Sequence, residues 1–244
     1  MIQTYELILH PGRPCNGQCD WGYRMYAALL QKAPDDFGAR LHADAVTPVS
    51  QYLAPLPDGD FRWTVTLLGR DSRESLQPVL EQADSFYLRH DHLPLQVRSR
   101  SSTCVESAEQ LLSLSQGGAA HSLEFITPAC FKRRGKYLPL PDPRLILQSQ
   151  IKKWNGCFPD CPIEDEGQGL EALADGLQLE GFQISQRSYW LKGQPIPGFV
   201  GTMGLQNRLE GFHRVLADGL LAFSGYAGIG IKTSLGMGGT RHKR

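Results

Sequence analysis

The sequence lacks a long hydrophobic run. None of its 244 residues falls in a stretch approaching the roughly 20 apolar residues that cross a bilayer, so no membrane partner is expected. The N-terminal MIQTYELILHPGRP has no basic segment followed by an apolar one, as a secretory leader would. A cytoplasmic location is expected. The chain also lacks an excess of charge, since 25 Lys and Arg balance 25 Asp and Glu. That excludes a polycation that coats nucleic acid everywhere, but not a local basic surface, because distribution rather than sum decides binding. The tight cysteine spacing of structural zinc sites is missing too. Among six cysteines, Cys15/Cys19 and Cys157/Cys161 form C-x3-C pairs far apart in sequence, with no histidine close to either. Neither a metal nor another cofactor is expected. Finally, the two familiar phosphate-loop patterns are absent from a glycine-rich stretch, GYAGIGIKTSLGMGGTRHKR at 225–244. Lys232-Thr233 follows Gly230 too closely for a Walker loop. A dinucleotide fingerprint fails because Thr233 stands where its third glycine belongs, and too little chain follows for a helix and second strand.

What is present is a pattern of strands and helices that runs through twice. TYELILH (4–10) alternates like a strand, and DWGYRMYAALLQKA (20–33) carries apolar residues at helical spacing. Residues 35–42 add a turn or short helix. Strands follow at 49–56 and 60–69, then a helix at 73–88 that contains Pro78, then a strand at 94–102. That order is the split βαβ unit of a ferredoxin-like domain. A small, polar stretch at 113–122 reads as a linker. The order then restarts: a strand with a hairpin-like extension (122–138), a helix with Pro143 in its first turn (142–155), strands at 179–193 and 197–207, and a helix over 208–225 ending at Gly225. A last strand begins near Lys232 or beyond the loop. The expected fold is α+β, two tandem ferredoxin-like domains, at 1–116 and 120–244.

Basic residues concentrate in three places. Lys132, Arg133, Arg134 and Lys136 lie on the presumed hairpin, Lys152 and Lys153 close the following helix, and Lys232 and Arg241 belong to the glycine-rich stretch. Glycines without a β-carbon expose backbone N–H groups and let a polyanion approach. Here they are Gly228, Gly230, Gly236 and Gly238, with hydroxyl donors on Thr233 and Ser234. A phosphodiester chain exploits such a loop better than a small nucleotide does. The competing reading is a glycine turn that packs the last strand.

These residues carry a resemblance. GIGIKTSLGMG (228–238) fits G-x-G-x5-G-x-G, the C-terminal signature of the CRISPR repeat-processing endoribonucleases of the RAMP superfamily. FITPACFKRRGKYLPLPDPRLILQSQIKKWN (125–155) is similar to that family's middle segment, and GYRMYAALLQKAPDDFGARLH (22–42) to its first helix and the turn that ends in a catalytic histidine. The resemblance implies metal-independent cleavage of CRISPR repeat RNA in precursor transcripts, giving mature guide RNA. The ribose 2′-hydroxyl is the nucleophile, and the products are a 2′,3′-cyclic phosphate and a 5′-hydroxyl. Such a reaction needs a base, an acid and a stabiliser of the phosphorane. The resemblance assigns His42 as general acid/base; His10, at the end of the first strand, is the second candidate histidine. It assigns Tyr26 as a hydrogen-bond donor, and the hairpin, helix and loop residues above as RNA ligands. Members often carry a lysine soon after the histidine. HADAVTPVSQ (42–51) has none, so Lys32 or Arg40 is left to substitute in space. That departure keeps a second reading open, a catalytically inactive RAMP subunit that binds repeat-derived RNA inside an effector complex. A third is a tandem ferredoxin-like protein with no RNA role. The resemblance also admits effector-complex subunits and a second copy of the chain as partners. On the first two readings the loop is a wall of the RNA cleft, and Gly230→Val or Lys232→Ala is expected to weaken RNA binding without unfolding the protein.

Overall fold

The computed structural model describes residues 1–34, 37, 47–115, 117–164 and 168–244. His42 and Arg40 lie outside the described residues.

In the first half, strand β1 (Ile2–Pro11) is followed by helix α1 (Gly22–Leu30), strands β2 (Val49–Pro55) and β3 (Phe61–Leu68), helix α2 (Arg70–Gln82), and strands β4 (Ser85–Leu88) and β5 (Leu93–Val105). They form an antiparallel sheet of order β2-β3-β1-β5-β4. Side chains alternate across a strand. Tyr5, Leu7 and Leu9 of β1 therefore enter one core with Met25 and Leu29 of α1 and Leu76 and Leu80 of α2. Thr4 and Glu6 face the other way, into a concavity shared with Tyr226 and Thr240 of the second half.

The second half has helix α3 (Ala108–Leu114), strands β6 (Ala120–Ala129), β7 (Phe131–Arg133) and β8 (Lys136–Leu138), and helices α4 (Pro143–Cys157) and α5 (Gln168–Asp175). Strands β9 (Leu177–Leu191) and β10 (Gln194–Asn207), helix α6 (Gly211–Ala227) and strand β11 (Thr240–Lys243) complete it. The main sheet has order β11-β6-β10-β9. Without the additional edge strand β4, the first sheet reads second-third-first-last. The second sheet reads last-first-third-second, the same arrangement from the opposite edge. That is the ferredoxin-like order expected from the sequence, found twice. Phe125, Phe199 and Met203 of this sheet pack on Leu147 and Trp154 of α4 and Leu220 and Phe223 of α6.

Local chemistry explains the boundaries. Asp142 caps α4 by accepting from the Leu145 N–H at 2.9 Å, with Pro143 in the first turn, where no N–H is needed. Two helix ends differ from the sequence reading. The helix expected over 73–88 runs through Pro78 but stops at Gln82, and 85–88 is an edge strand whose Phe86 and Leu88 are buried. The helix expected to end at Gly225 continues to Ala227, and Gly228, at φ +67°, ends it. The last strand takes the second of its two expected places, beyond the loop, at Thr240–Lys243. Helices α3 and α5 were not anticipated.

Candidate nucleic-acid interface

The hairpin, α4 and the loop after α6 converge. A concavity of about 340 Å³ is lined by Lys132 and Phe131 of the hairpin, Gln148, Ser149, Lys152 and Lys153 of α4, and Gly230, Lys232, Thr233 and Ser234 of the loop, with Thr47 from the first half. Among the described residues that line it, four are lysines and none is an acid. Thr47 lies five residues after His42. The adjacent hairpin and α4 and the distant loop thus make one cation-lined surface. A polyanion is the ligand that such a surface favours.

The hairpin presents its charges from a tight turn. Arg133 pairs with Lys136 across a two-residue connection. Arg134 and Gly135 both have positive φ, +49° and +81°, the geometry of a type I′ turn. Arg133, Arg134 and Lys136 are exposed there. The ammonium of Lys132 lies 5.6 Å from the Tyr137 ring centroid. Among the described residues none of these four cations pairs with a carboxylate.

The loop after α6 is held from both halves of the chain. The Ile229 N–H donates to the Gly238 carbonyl, the Gly238 N–H to the Pro128 carbonyl and the Ile231 N–H to the Cys130 carbonyl, each at 2.9 Å. The Gly239 N–H donates to Thr127 Oγ1 at 2.8 Å. From the first half, Gln51 Nε2 donates to the carbonyls of Gly22 and Ser234 at 2.8 and 2.9 Å. Gln51 Oε1 accepts from Trp63 Nε1 at 2.9 Å. From β9, the buried Tyr189 hydroxyl reaches the Leu235 carbonyl at 2.5 Å, and burial raises its pKa. Several glycines are there for space. A β-carbon on Gly230 would collide with the Cys130 carbonyl, one on Gly236 with the Tyr189 hydroxyl, and one on Gly238 with the Ile229 carbonyl. All three have positive φ, where side chains are strained as well. Gly228, Gly236 and Gly238 do not line the cation-rich concavity.

One short stretch of loop borders the concavity, with Lys232 exposed and Thr233 and Ser234 largely buried. Lys232 has a left-handed backbone, φ +57°, before the single 3₁₀ turn Thr233–Leu235. Among the described residues the N–H groups of Thr233 and Ser234 have no protein acceptor. Consecutive N–H groups after a left-handed residue form a concave donor array suited to an anion. Lys232, Thr233 and Ser234 thus combine a cation with backbone and hydroxyl donors on one wall.

Other sequence candidates are placed elsewhere. Arg241 sits on β11, 3.8 Å from Glu124 and shared with Lys243, and lines the separate concavity with Tyr52 and Thr64. Tyr26 is buried in the first core at 7% exposure, and burial raises its pKa to about 12. Lys32 is exposed just beyond α1. His10 lies toward the opposite end of β1 from Thr47, with Nδ1 2.6 Å from Asp60 Oδ1. Asp60 also accepts from Arg98 at 2.8 Å. The two C-x3-C pairs stay apart, and among the described residues no three His, Cys, Asp or Glu side chains gather as a metal site would require. The buried Gln51 and Tyr189, which hold the loop, were missed. Their partners are main-chain carbonyls far off in sequence, which no local motif signals.

Residues 123–240 match the family model described as CRISPR-associated endoribonuclease Cas6. A protein of that name from Mycobacterium tuberculosis is 29% identical over 225 residues, 90% of this chain and 71% of the relative. Another, from Streptococcus thermophilus, is 26% identical over 246 residues, 99% of this chain and 96% of that one. Among solved structures, a Cas6 product complex superposes with a TM-score of 0.79 at 23% identity over 100% of both chains. A Thermus thermophilus Cas6 gives 0.74 at 24% identity over 100% of this chain and 98% of that one. At that identity the superpositions speak for the fold.

Proposed function

We propose, for a chain that is Cas6/RAMP-like in family, that the processing of CRISPR repeat RNA supported by its relatives is carried out as metal-independent cleavage. The ribose 2′-hydroxyl attacks the adjacent phosphorus. The 5′-oxygen leaves with a proton, and the ends are a 2′,3′-cyclic phosphate and a 5′-hydroxyl. The observation that carries this reading is the concavity where Lys132, Lys152, Lys153 and Lys232 converge, with no acid among its described lining residues, beside the Thr233 and Ser234 N–H groups, which have no protein acceptor among the described residues. The phosphate backbone supplies most of the affinity for such a surface, and its binding is steeply salt-dependent. A developing phosphorane gains from the same cations and donors.

His42 is assigned the proton transfers, since imidazole exchanges protons near neutral pH. Tyr26 stays protonated at working pH because burial raises its pKa to about 12, so it acts as a donor and not as a base. Lys32, exposed at the end of α1, is the cation nearest in sequence to His42 on its N-terminal side apart from Arg40. Arg133, Arg134 and Lys136 extend the grip along the hairpin, where A-form RNA is read through phosphate and 2′-hydroxyl.

The deciding experiment is incubation with repeat RNA in EDTA, with His42→Ala alongside. One discrete cut with a cyclic-phosphate end, lost in the variant, supports the reading. A cut that needs a divalent ion overturns the mechanism. A cut that survives His42→Ala overturns that assignment and directs attention to His10 or Tyr26. The absence of any Lys or Arg from His42 to Gln51 favours the second reading, an inactive RAMP subunit of an effector complex. Tight, salt-dependent binding without product would select it.

A further inference from the structure

Lys153 differs from the other lysines on the concavity. It reaches from α4 to the end of α6, where its Nζ donates to the carbonyls of Ala227 and Gly228 at 3.0 and 2.9 Å. The Gly228 carbonyl takes another bond from Gln150 Nε2 at 2.9 Å. Gln150 is fully buried on the same helix. The last carbonyls of a helix have no partner within it, and their partial negative charge favours a cation or strong donor. Gly228 is also the residue at which the chain leaves α6 for the loop, at φ +67°. The ammonium groups of Lys152 and Lys232, by contrast, make no hydrogen bond to protein among the described residues.

We infer that Lys153 is a positioning residue. It fixes the exit of the loop from α6, and through it the direction of Lys232 and of the Thr233 and Ser234 N–H groups, and does not itself hold a phosphate. Hydrogen-bond capacity agrees. Burial lowers the Lys153 pKa to about 7, which disfavours it as a fixed charge for RNA. The neutral amine keeps two N–H donors, enough for both carbonyls, so the clamp outlasts the charge. The consequence for RNA rests on the proposed function. The clamp itself does not.

The test uses the full chain, repeat RNA and two readouts. In filter binding, Lys153→Met and Lys232→Ala are each expected to weaken binding about 10-fold, the worth of a hydrogen bond to a charged group. The double variant should be no weaker than the worse single, because both act through one loop. Multiplication to about 100-fold would mean that Lys153 grips phosphate independently, and would overturn the inference. In the RNA-free protein, amide exchange at Ile229–Leu235 should accelerate at least 10-fold in Lys153→Met and return to normal in Lys153→Arg. Unchanged exchange also overturns it. If Lys153→Met does not fold, Gln150→Leu, which removes the other bond to the Gly228 carbonyl, is read in the same way. Wild-type protein that binds no repeat RNA would sink the functional reading alone, with exchange still deciding the clamp.

Discussion

At Gly230 a single methyl group separates two meanings of a glycine-rich loop. A β-carbon there would run into the Cys130 carbonyl, and φ is +83°. Gly230→Val is therefore expected to cost on the order of 2 kcal/mol or more, through backbone strain and collision together. A lowered urea midpoint at unchanged slope would show it. This corrects the expectation that Gly230→Val leaves the fold intact. The residue's first duty is packing, as the competing reading of the loop had it. Lys232→Ala keeps its original expectation. It should reduce the dependence of log affinity on log salt by about 0.7–0.9, the share of one phosphate contact, with no change in melting. Lysine was legible as a charge in the sequence. That Lys153 spends its donors on two carbonyls was not, because only the packed helix pair brings them within reach.

Among the elements, β11 shows how a basic tail can be something else. Arg241 and Lys243 share Glu124, and Arg244 lies 3.8 Å from Asp218. Between them His242 Nε2 is 2.9 Å from His121 Nδ1, and His121 Nε2 donates to Asp218 Oδ1 at 2.8 Å. Asn207 donates to that same oxygen at 2.6 Å. This file of bonds ties the strand to α6. Burial first, then the neighbouring His121, pushes the His242 pKa down to about 4, and burial lowers that of His121 too. Below about pH 6.5 the unfolded chain binds protons that the folded one refuses, so stability present at neutral pH is lost as pH falls toward 4. Melting temperature should drop between pH 7 and 5, and less steeply in His242→Gln. A slope unchanged by that substitution would discount the pair. Strands and long helices were legible because their periods persist. The short helices α3 and α5 were not, since seven and eight residues span only about two turns, too few for the apolar spacing to stand out.

For the whole molecule, the repeated topology was readable because each half runs through the same order of periods. How the halves meet was not. Gln51, 1% exposed, satisfies the Gly22 carbonyl, the Ser234 carbonyl and the Trp63 indole at once. Gln51→Leu would strand three buried polar groups. A loss on the order of 3 kcal/mol is expected from denaturant unfolding, and a loss below about 1 kcal/mol would show that the seam does not depend on it. Hydrogen bonds, unlike apolar contacts, have direction. A seam keyed by Gln51, and by Tyr189, whose hydroxyl also lies 3.3 Å from the Asp20 carbonyl, resists sliding as well as separation. The donors of the cation-lined wall are consequently aimed before any ligand arrives, and their ordering entropy is incurred during folding. On the proposed function, RNA then meets a wall already ordered among its described residues, and encounter is governed by charge and ionic strength.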